Sequence, residues 1–304
     1  MTHWLRTTRI AATAAAACAL LMCAWSSQRP SGREAVLVLS REAEPFRKCE
    51  RAARAALEAE GWTVRTEVIN EKAPPSCPAD ASLITVGTEA AVWSKGRAGT
   101  TVFCMVADVE SAGLIAGSAG VLAEIPVSRQ VALLRQALPD AKTVGVLFKR
   151  GSTRGERWVD ALKQEAARSG LKVDAEPVDS KEKVAPALDA LIRRRVDVLW
   201  TMPDGALYDA NTIKAVLHST LEAKLPVFGF STPVVKAGAL VGVGITPESQ
   251  GAQAAALLMK RAKEPAGTAG QTVEPAFEVS VNQVVAERLG VRLPPSLASE
   301  RKGD

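Results

Sequence analysis

The chain has 304 residues, 47% of them hydrophobic and 23% charged, more apolar material than one modest core needs and enough for two lobes of roughly 120 to 140 residues each. Lysine and arginine (38) exceed aspartate and glutamate (33) for a net charge of +5, but the excess lies in short clusters such as Arg193-Arg194-Arg195. With no basic tail or stripe, the distribution points away from a nucleic-acid partner.

The first residues set the compartment. Arg6 and Arg9 form a positive n-region, residues 10–25 an apolar Ala/Leu run and residues 26–32 a polar stretch, the pattern of a secretory signal over 1–26. The run is shorter than the ~20 residues of a spanning helix, so it predicts export rather than a permanent anchor. Two cleavage chemistries are open. Leu20-Leu21-Met22-Cys23 approximates a lipoprotein box, although Met22 is bulkier than the small residue usual there, and Ala24-Trp25-Ser26 suits an ordinary signal peptidase. The expected location is the periplasm or the outer face of the membrane, with a lipid on Cys23 as the one membrane contact. Cys49, Cys77 and Cys104 follow, with no CxxC spacing. An oxidising compartment permits a bond between Cys49 and Cys77, whereas Cys104, in an apolar run, reads as a core residue.

From Ala35 onward, short strand-like runs alternate with helical stretches. Residues 35–39 read as a strand and 45–60 as a helix with Phe46, Cys49, Ala53, Ala56 and Leu57 on one stripe, stopped by Gly61. Strands follow over 62–68, 83–86 and 101–106, with a helix starting at Gly87-Thr88-Glu89. The unit then repeats: a helix over 126–138, a strand over 143–148, a helix over 156–169, a strand over 171–178, a helix capped by Ser180 to Arg194, a strand over 196–202, a helix over 206–223 and a strand over 226–230. Continuous rather than alternating apolar runs suit parallel strands covered on both faces. Residues 240–245 form another strand. Thr246-Pro247 starts an Ala-rich helix to about Lys263, and a strand over 277–281 leads to a helix that Asn282 caps and Gly290 ends. The fold class is α/β, two Rossmann-like lobes with mainly parallel sheets. The chain crosses between them three times near Ile125, Ile245 and Glu274, giving one lobe from 35–125 plus 246–273 and another from 126–245 plus 274–304. Such hinges let lobes close on a ligand.

An ordered set of segments carries a resemblance. It comprises Ile84-Thr85-Val86-Gly87-Thr88-Glu89-Ala90-Ala91, Val106-Ala107-Asp108-Val109-Glu110-Ser111-Ala112-Gly113-Leu114, Ile125-Pro126-Val127-Ser128-Arg129-Gln130, the stretch from Leu138 to Phe148, Leu225-Pro226-Val227-Phe228-Gly229, residues 235–240, and the ending Leu289-Gly290-Val291-Arg292-Leu293-Pro294-Pro295. Over about residues 35 to 298 the chain resembles the ABC-transporter substrate-binding proteins of the tryptophan/tyrosine type, which have the type I periplasmic-binding fold with a three-stranded hinge. The resemblance implies a monomeric receptor for a small polar ligand, amino-acid-like and aromatic in that family, with a cognate permease and ATPase as partners. It departs from the family at Lys149-Arg150-Gly151 and Ser231-Thr232-Pro233, two loops expected at the cleft, so it carries the fold more firmly than the ligand.

In open parallel sheets the ligand sits beyond the carboxyl ends of the strands. The candidates in the first lobe are therefore Ser40, Arg41, Thr88, Glu89 and Asp108, and in the second Arg150, Asp204, Tyr208, Phe230 and Ser231. Thr88 at a helix start either receives a ligand carboxylate or caps its helix. Asp204 either holds an ammonium or caps the next helix, and Asp108 is a ligand contact or an ordinary turn residue. Arg41 and Arg150 either clamp an anion or are solvated. Phe230, at a strand end, is the aromatic best placed to stack on a ligand, while Phe148 and Trp200 read more readily as core. Tyr208 reaches inward or packs on the surface.

Catalytic patterns are missing. The histidines are His3, inside the signal, and His218, mid-helix; HExxH, paired CxxC, GxGxxG and GxxxxGK[ST] do not occur. No enzyme activity, metal or cofactor is expected. A sensory receptor signalling to a membrane kinase or chemoreceptor is the alternative to an importer's receptor, and a carboxylate-only enzyme would have to pair Asp108 with Asp204.

Overall fold

The computed structural model describes residues 33–70, 74–114, 117–265, 267–299 and 301–302. The signal over 1–26, with His3 and Cys23, lies outside the described residues.

The first sheet is built from β1 (Glu34–Leu39), β2 (Thr63–Val68), β3 (Ser82–Val86), β4 (Thr101–Cys104) and β5 (Ala119–Val121), with helices α1 (Glu44–Ala59) and α2 (Thr88–Trp93) between them. Its order is β11-β5-β4-β3-β1-β2 with every pairing parallel, β11 (Thr272–Val273) returning from far along the chain. Strand β1 is buried along all but its first residue, as a central strand covered on both faces must be.

The second sheet takes the next units in chain order: α3 (Val127–Ala137), β6 (Thr143–Lys149), α4 (Thr153–Arg168), β7 (Lys172–Val178), α5 (Val184–Arg193), β8 (Val198–Trp200), α6 (Ala210–Glu222), β9 (Val227–Gly229), α7 (Thr232–Ala237) and β10 (Val241–Gly244). Helix α8 (Pro247–Arg261) then packs against α1 over the first sheet, and the chain returns through β12 (Phe277–Val281), α9 (Gln283–Leu289), α10 (Pro295–Ser299) and β13 (Arg301–Lys302). The order is β13-β12-β10-β9-β8-β6-β7, parallel from β7 to β10 and antiparallel where β12 and β13 join. The chain passes between the sheets three times, at 122–126, 245–246 and 274–276. Each lobe has its own core. Leu37, Leu57, Ile84 and Leu258 are fully buried in the first, and Val144, Leu162 and Val198 in the second, each such side chain contributing about 1.5–3 kcal/mol over an exposed position.

Local chemistry moves several expected boundaries. Helix α6 begins at Ala210, not 206, because Asp209 accepts the N–H groups of Asn211 and Thr212 while Asp204 closes a separate turn onto Ala206. Helix α4 starts at Thr153, three residues before its expected start, because Ser152 caps it by accepting from Gly155 N–H. Ser180 makes no side-chain cap and leads into a short 3₁₀ turn, Lys181–Lys183. The Ser231-Thr232-Pro233 stretch is the start of α7, not a loop, with Ser231 as its cap. A Cys49–Cys77 bond is also corrected: Cys49 lies against Cys104, with 3.6 Å between the sulfurs, while Cys77 sits in another loop within 3.3 Å of the Arg97 guanidinium. Cys104 is a core residue, fully buried. His218 stands exposed on α6 beside Glu222 at 3.3 Å.

Candidate functional site

The carboxyl ends of both sheets point toward the crossings, and there two contiguous cavities of about 250 and 220 Å³ share Ala123, Glu124, Arg154 and Trp158. Their walls come from the 106–110 loop after β4, the first crossing, the start of α4, and the ends of β8, β9 and β10.

Helix α8 fixes the crossings around them. Gln250, 2% exposed, donates to Leu122 O at 2.8 Å and accepts Met105 N–H at 3.0 Å. That second bond holds Met105 at φ 54, a left-handed conformation uncommon for a bulky side chain. One turn on, Gln253 accepts Ala276 N–H and donates to Glu274 O, and Gln130 from α3 donates to Ile125 O. The amide side chains thus satisfy backbone groups at the first and third crossings, and Thr246 caps α8 at the second.

The polar groups of the cavity are Glu124 and Arg154. Glu124 is exposed, yet the walls around it still raise its carboxyl above the usual glutamate value through partial desolvation; Arg154 opposes that shift and Asp108 adds to it. It makes no direct ion pair among the described residues. The Arg154 fork reaches Pro203 O at 3.4 Å, and its Nε is buried with no partner among the described residues. Aromatic rings back the pair. Trp158 meets Trp200 edge-on at 5.6 Å, Trp200 tilts onto Phe228 at 4.7 Å, and Phe230 lines the cavity with Tyr208 behind it at 6.2 Å. The arrangement offers a carboxylate, an exposed-edge guanidinium and a flat apolar wall to one small molecule.

The residues singled out from sequence are placed as follows. Ser40 is 4% exposed and its hydroxyl accepts Ala90 N–H at 3.0 Å, so it closes the α2 N-terminus from another strand. Thr88 and Glu89 are exposed at the carboxyl edge of the first sheet, outside these cavities, and Gly87 rather than Thr88 is the cap position. Arg41 is exposed with its guanidinium 5.1 Å over the Phe46 ring. Asp108 lines the cavity; it accepts from Ser111 N–H and Oγ–H, bonds that hold its carboxyl below the ordinary aspartate value, and from Arg157 at 2.9 Å. Arg157, on α4 of the other lobe, also pairs with Glu110, so one guanidinium ties the lobes together. Arg150 faces away, paired at the exposed surface with Asp179 at 2.7 Å, the next residue after β7. Asp204 is occupied in its own turn, and Ser231 in capping α7. Tyr208 is buried with its hydroxyl unpartnered among the described residues, and burial, then Asp204, pushes its pKa up. A further cavity of about 430 Å³ lies at the amino ends of β4 and β5 near Lys95 and Arg261, away from the carboxyl edges.

These features define a two-lobed α/β protein with a candidate ligand site at the crossings between its sheets, and comparison with known proteins makes the class specific. Residues 85–302 match the family described as ABC transporter substrate binding protein, and the chain belongs to that family. A protein of Clostridioides difficile (strain R20291) named tyrosine-binding protein is 24% identical over 136 residues, 45% of this chain and 39% of that protein, so the match spans about two fifths of that relative's length. The ligand-free, open structure of a substrate-binding protein with adhesive properties from Clostridium difficile superposes with a TM-score of 0.71 at 21% identity, covering 88% of this chain and 97% of that one. A Streptococcus pneumonia ABC domain in complex with L-Trp gives 0.62 at 20% identity over the same shares. A periplasmic solute-binding protein of Actinobacillus succinogenes with bound D-allose gives 0.52 at 11%, covering 84% and 99%. The fold is the type I periplasmic-binding fold, and proteins of this family bind substrates rather than transform them.

Proposed function

We propose that the chain is an exported receptor of an ABC importer that closes over an aromatic amino acid or a close zwitterionic relative. The observation that carries this is Glu124 and Arg154 facing one aromatic-walled cavity without a direct ion pair between them. A ligand with an ammonium and a carboxylate completes both, each by a charge-assisted bond, and its side chain lies on Phe230 and Trp158. The lobes, 35–125 plus 246–273 and 126–245 plus 274–304, move about the crossings, and the exposed Thr88 and Glu89 edge forms the facing wall. The signal delivers the mature chain to the outer side of the membrane, where the permease and ATPase receive the closed form. Relatives named for tyrosine and L-Trp support the ligand class.

A thermal-shift screen against amino acids, sugars, nucleosides and small carboxylates tests it. An aromatic amino acid at a hundred times its Kd stabilises by about 2.7 kcal/mol, and Glu124→Gln with Arg154→Gln abolishes the shift. A response confined to sugars, or one unaffected by the double substitution, overturns the assignment.

A further inference from the structure

Cys49 lies on the buried stripe of α1 and Cys104 ends β4; both are fully buried and their Sγ atoms are 3.6 Å apart, in van der Waals contact. Among the described residues no third potential metal ligand joins the pair. The other neighbour of the Cys104 thiol is Thr85 O at 3.7 Å. Contact with Cys49 and burial raise the Cys104 pKa, which leaves the Cys104 thiol unreactive once the lobe has closed. Helix α8 makes that closure tight: a Cβ at Gly251 would lie 2.1 Å from Cys49 O.

We propose that Cys49 and Cys104 are joined by a disulfide bond, formed while the first lobe folds and before α8 seals it. The sulfurs have to approach by about 1.5 Å to reach the bonded distance near 2.05 Å, a small rotamer adjustment between groups already in contact. The oxidant is a disulfide, either of glutathione or of an exchange protein. One cysteine thiolate attacks it and expels a thiolate, then the second attacks the mixed disulfide. The two protein thiols lose two electrons and two protons, and the oxidant is reduced to two thiols. That an oxidising compartment supplies it rests on the export reading above. The bond closes a span of 55 residues within one lobe, tying α1 to the strand whose end leads through Met105 to Asp108 and leaving the crossings free.

The full chain, denatured, reduced and refolded with glutathione and its disulfide, is alkylated in the unfolded state without further reduction and digested for mass spectrometry. The expected result is a Cys49–Cys104 linked peptide with Cys77 alkylated, the same link in Cys77→Ser, and none in Cys49→Ala. Reductant lowers the wild-type Tm by roughly 10 °C, leaves that of Cys49→Ala unchanged, and alters ligand affinity less than about twofold. Alkylation of both cysteines, or a bond from either to Cys77, overturns the proposal. Failure to bind any amino acid would sink the transport reading and leave the cross-link as it is, so the two fail separately.

Discussion

Glu124, proposed above as a ligand contact, opposes the fold only slightly at the scale of one residue, because its side chain stays exposed. Partial desolvation raises its carboxyl, so the folded chain holds that proton more tightly than the unfolded chain does. Its contribution to stability is therefore full below the ordinary glutamate value of 4.5, falls as the pH rises above it, and stays lost at neutral pH. Glu124→Gln is expected to raise Tm slightly at pH 7, to leave it unchanged near pH 4, and to weaken binding of a zwitterionic ligand tenfold or more. Melting curves at both pH values with a titration at pH 7 check this; a lower Tm at pH 7 would show that the carboxylate is stabilising. Gly87 illustrates the opposite economy. It holds φ +91, and a Cβ there would meet Ser40 Oγ at 2.6 Å. Gly87→Ala should cost about 1–3 kcal/mol in urea unfolding, and part of that loss should disappear in a Ser40→Ala background, where the clash partner is gone. The places of Glu124 and of Ser40, the residue that Gly87 packs against, were not visible from chain order alone. Glu124 precedes Ile125-Pro126 with no motif around it, and Ser40 looked like a ligand donor because a cap supplied from fifty residues away leaves no local pattern.

Elements were far more legible, and the reason is chemical. The continuous apolar runs identified the buried parallel strands, and caps with short-range partners, Thr246 on Ser249 and Asn282 on Val285, marked helix starts. What escaped was β5, three residues reading Ala-Gly-Val with no periodicity, and α7, whose Ser231 cap is followed two residues later by Pro233, so that the stretch resembled a loop. The clip that α8 applies to the crossings escaped for the same reason as Ser40: Gln250 acts on Leu122 and Met105, more than a hundred residues away. Replacing Gln250 by Leu leaves Met105 N–H and Leu122 O without their partner, at about 1–3 kcal/mol for each buried group left unpaired. We expect a Tm loss together with weaker ligand binding, since Met105 leads into the cleft wall; calorimetric melting with a ligand titration measures both. A Tm loss with unchanged affinity would confine Gln250 to a structural role.

At the scale of the molecule the lobes are joined by more than the crossings, because Arg157 of α4 pairs with Asp108 and Glu110 across the cleft. The partners are partly exposed, so the clasp is worth about 0–1 kcal/mol rather than the energy of a buried pair. That modest value suits a receptor. A ligand shifts the equilibrium between open and closed forms only by its differential affinity, so a strong clasp would hold the empty protein shut and erase the signal of occupancy. Arg157→Gln is expected to open the free protein, seen as a larger radius of gyration in solution scattering, and to raise the ligand Kd by up to about fivefold at low salt. The difference from wild type should fade near 1 M salt, where screening reaches about 3 Å. The hydrogen bonds from Ser111 hold Asp108 below the ordinary aspartate value, so the clasp should outlast a fall in pH through 3.8 and weaken only below it. An affinity change that persists undiminished in high salt would mean that Arg157 acts by packing against the cleft wall, not by charge.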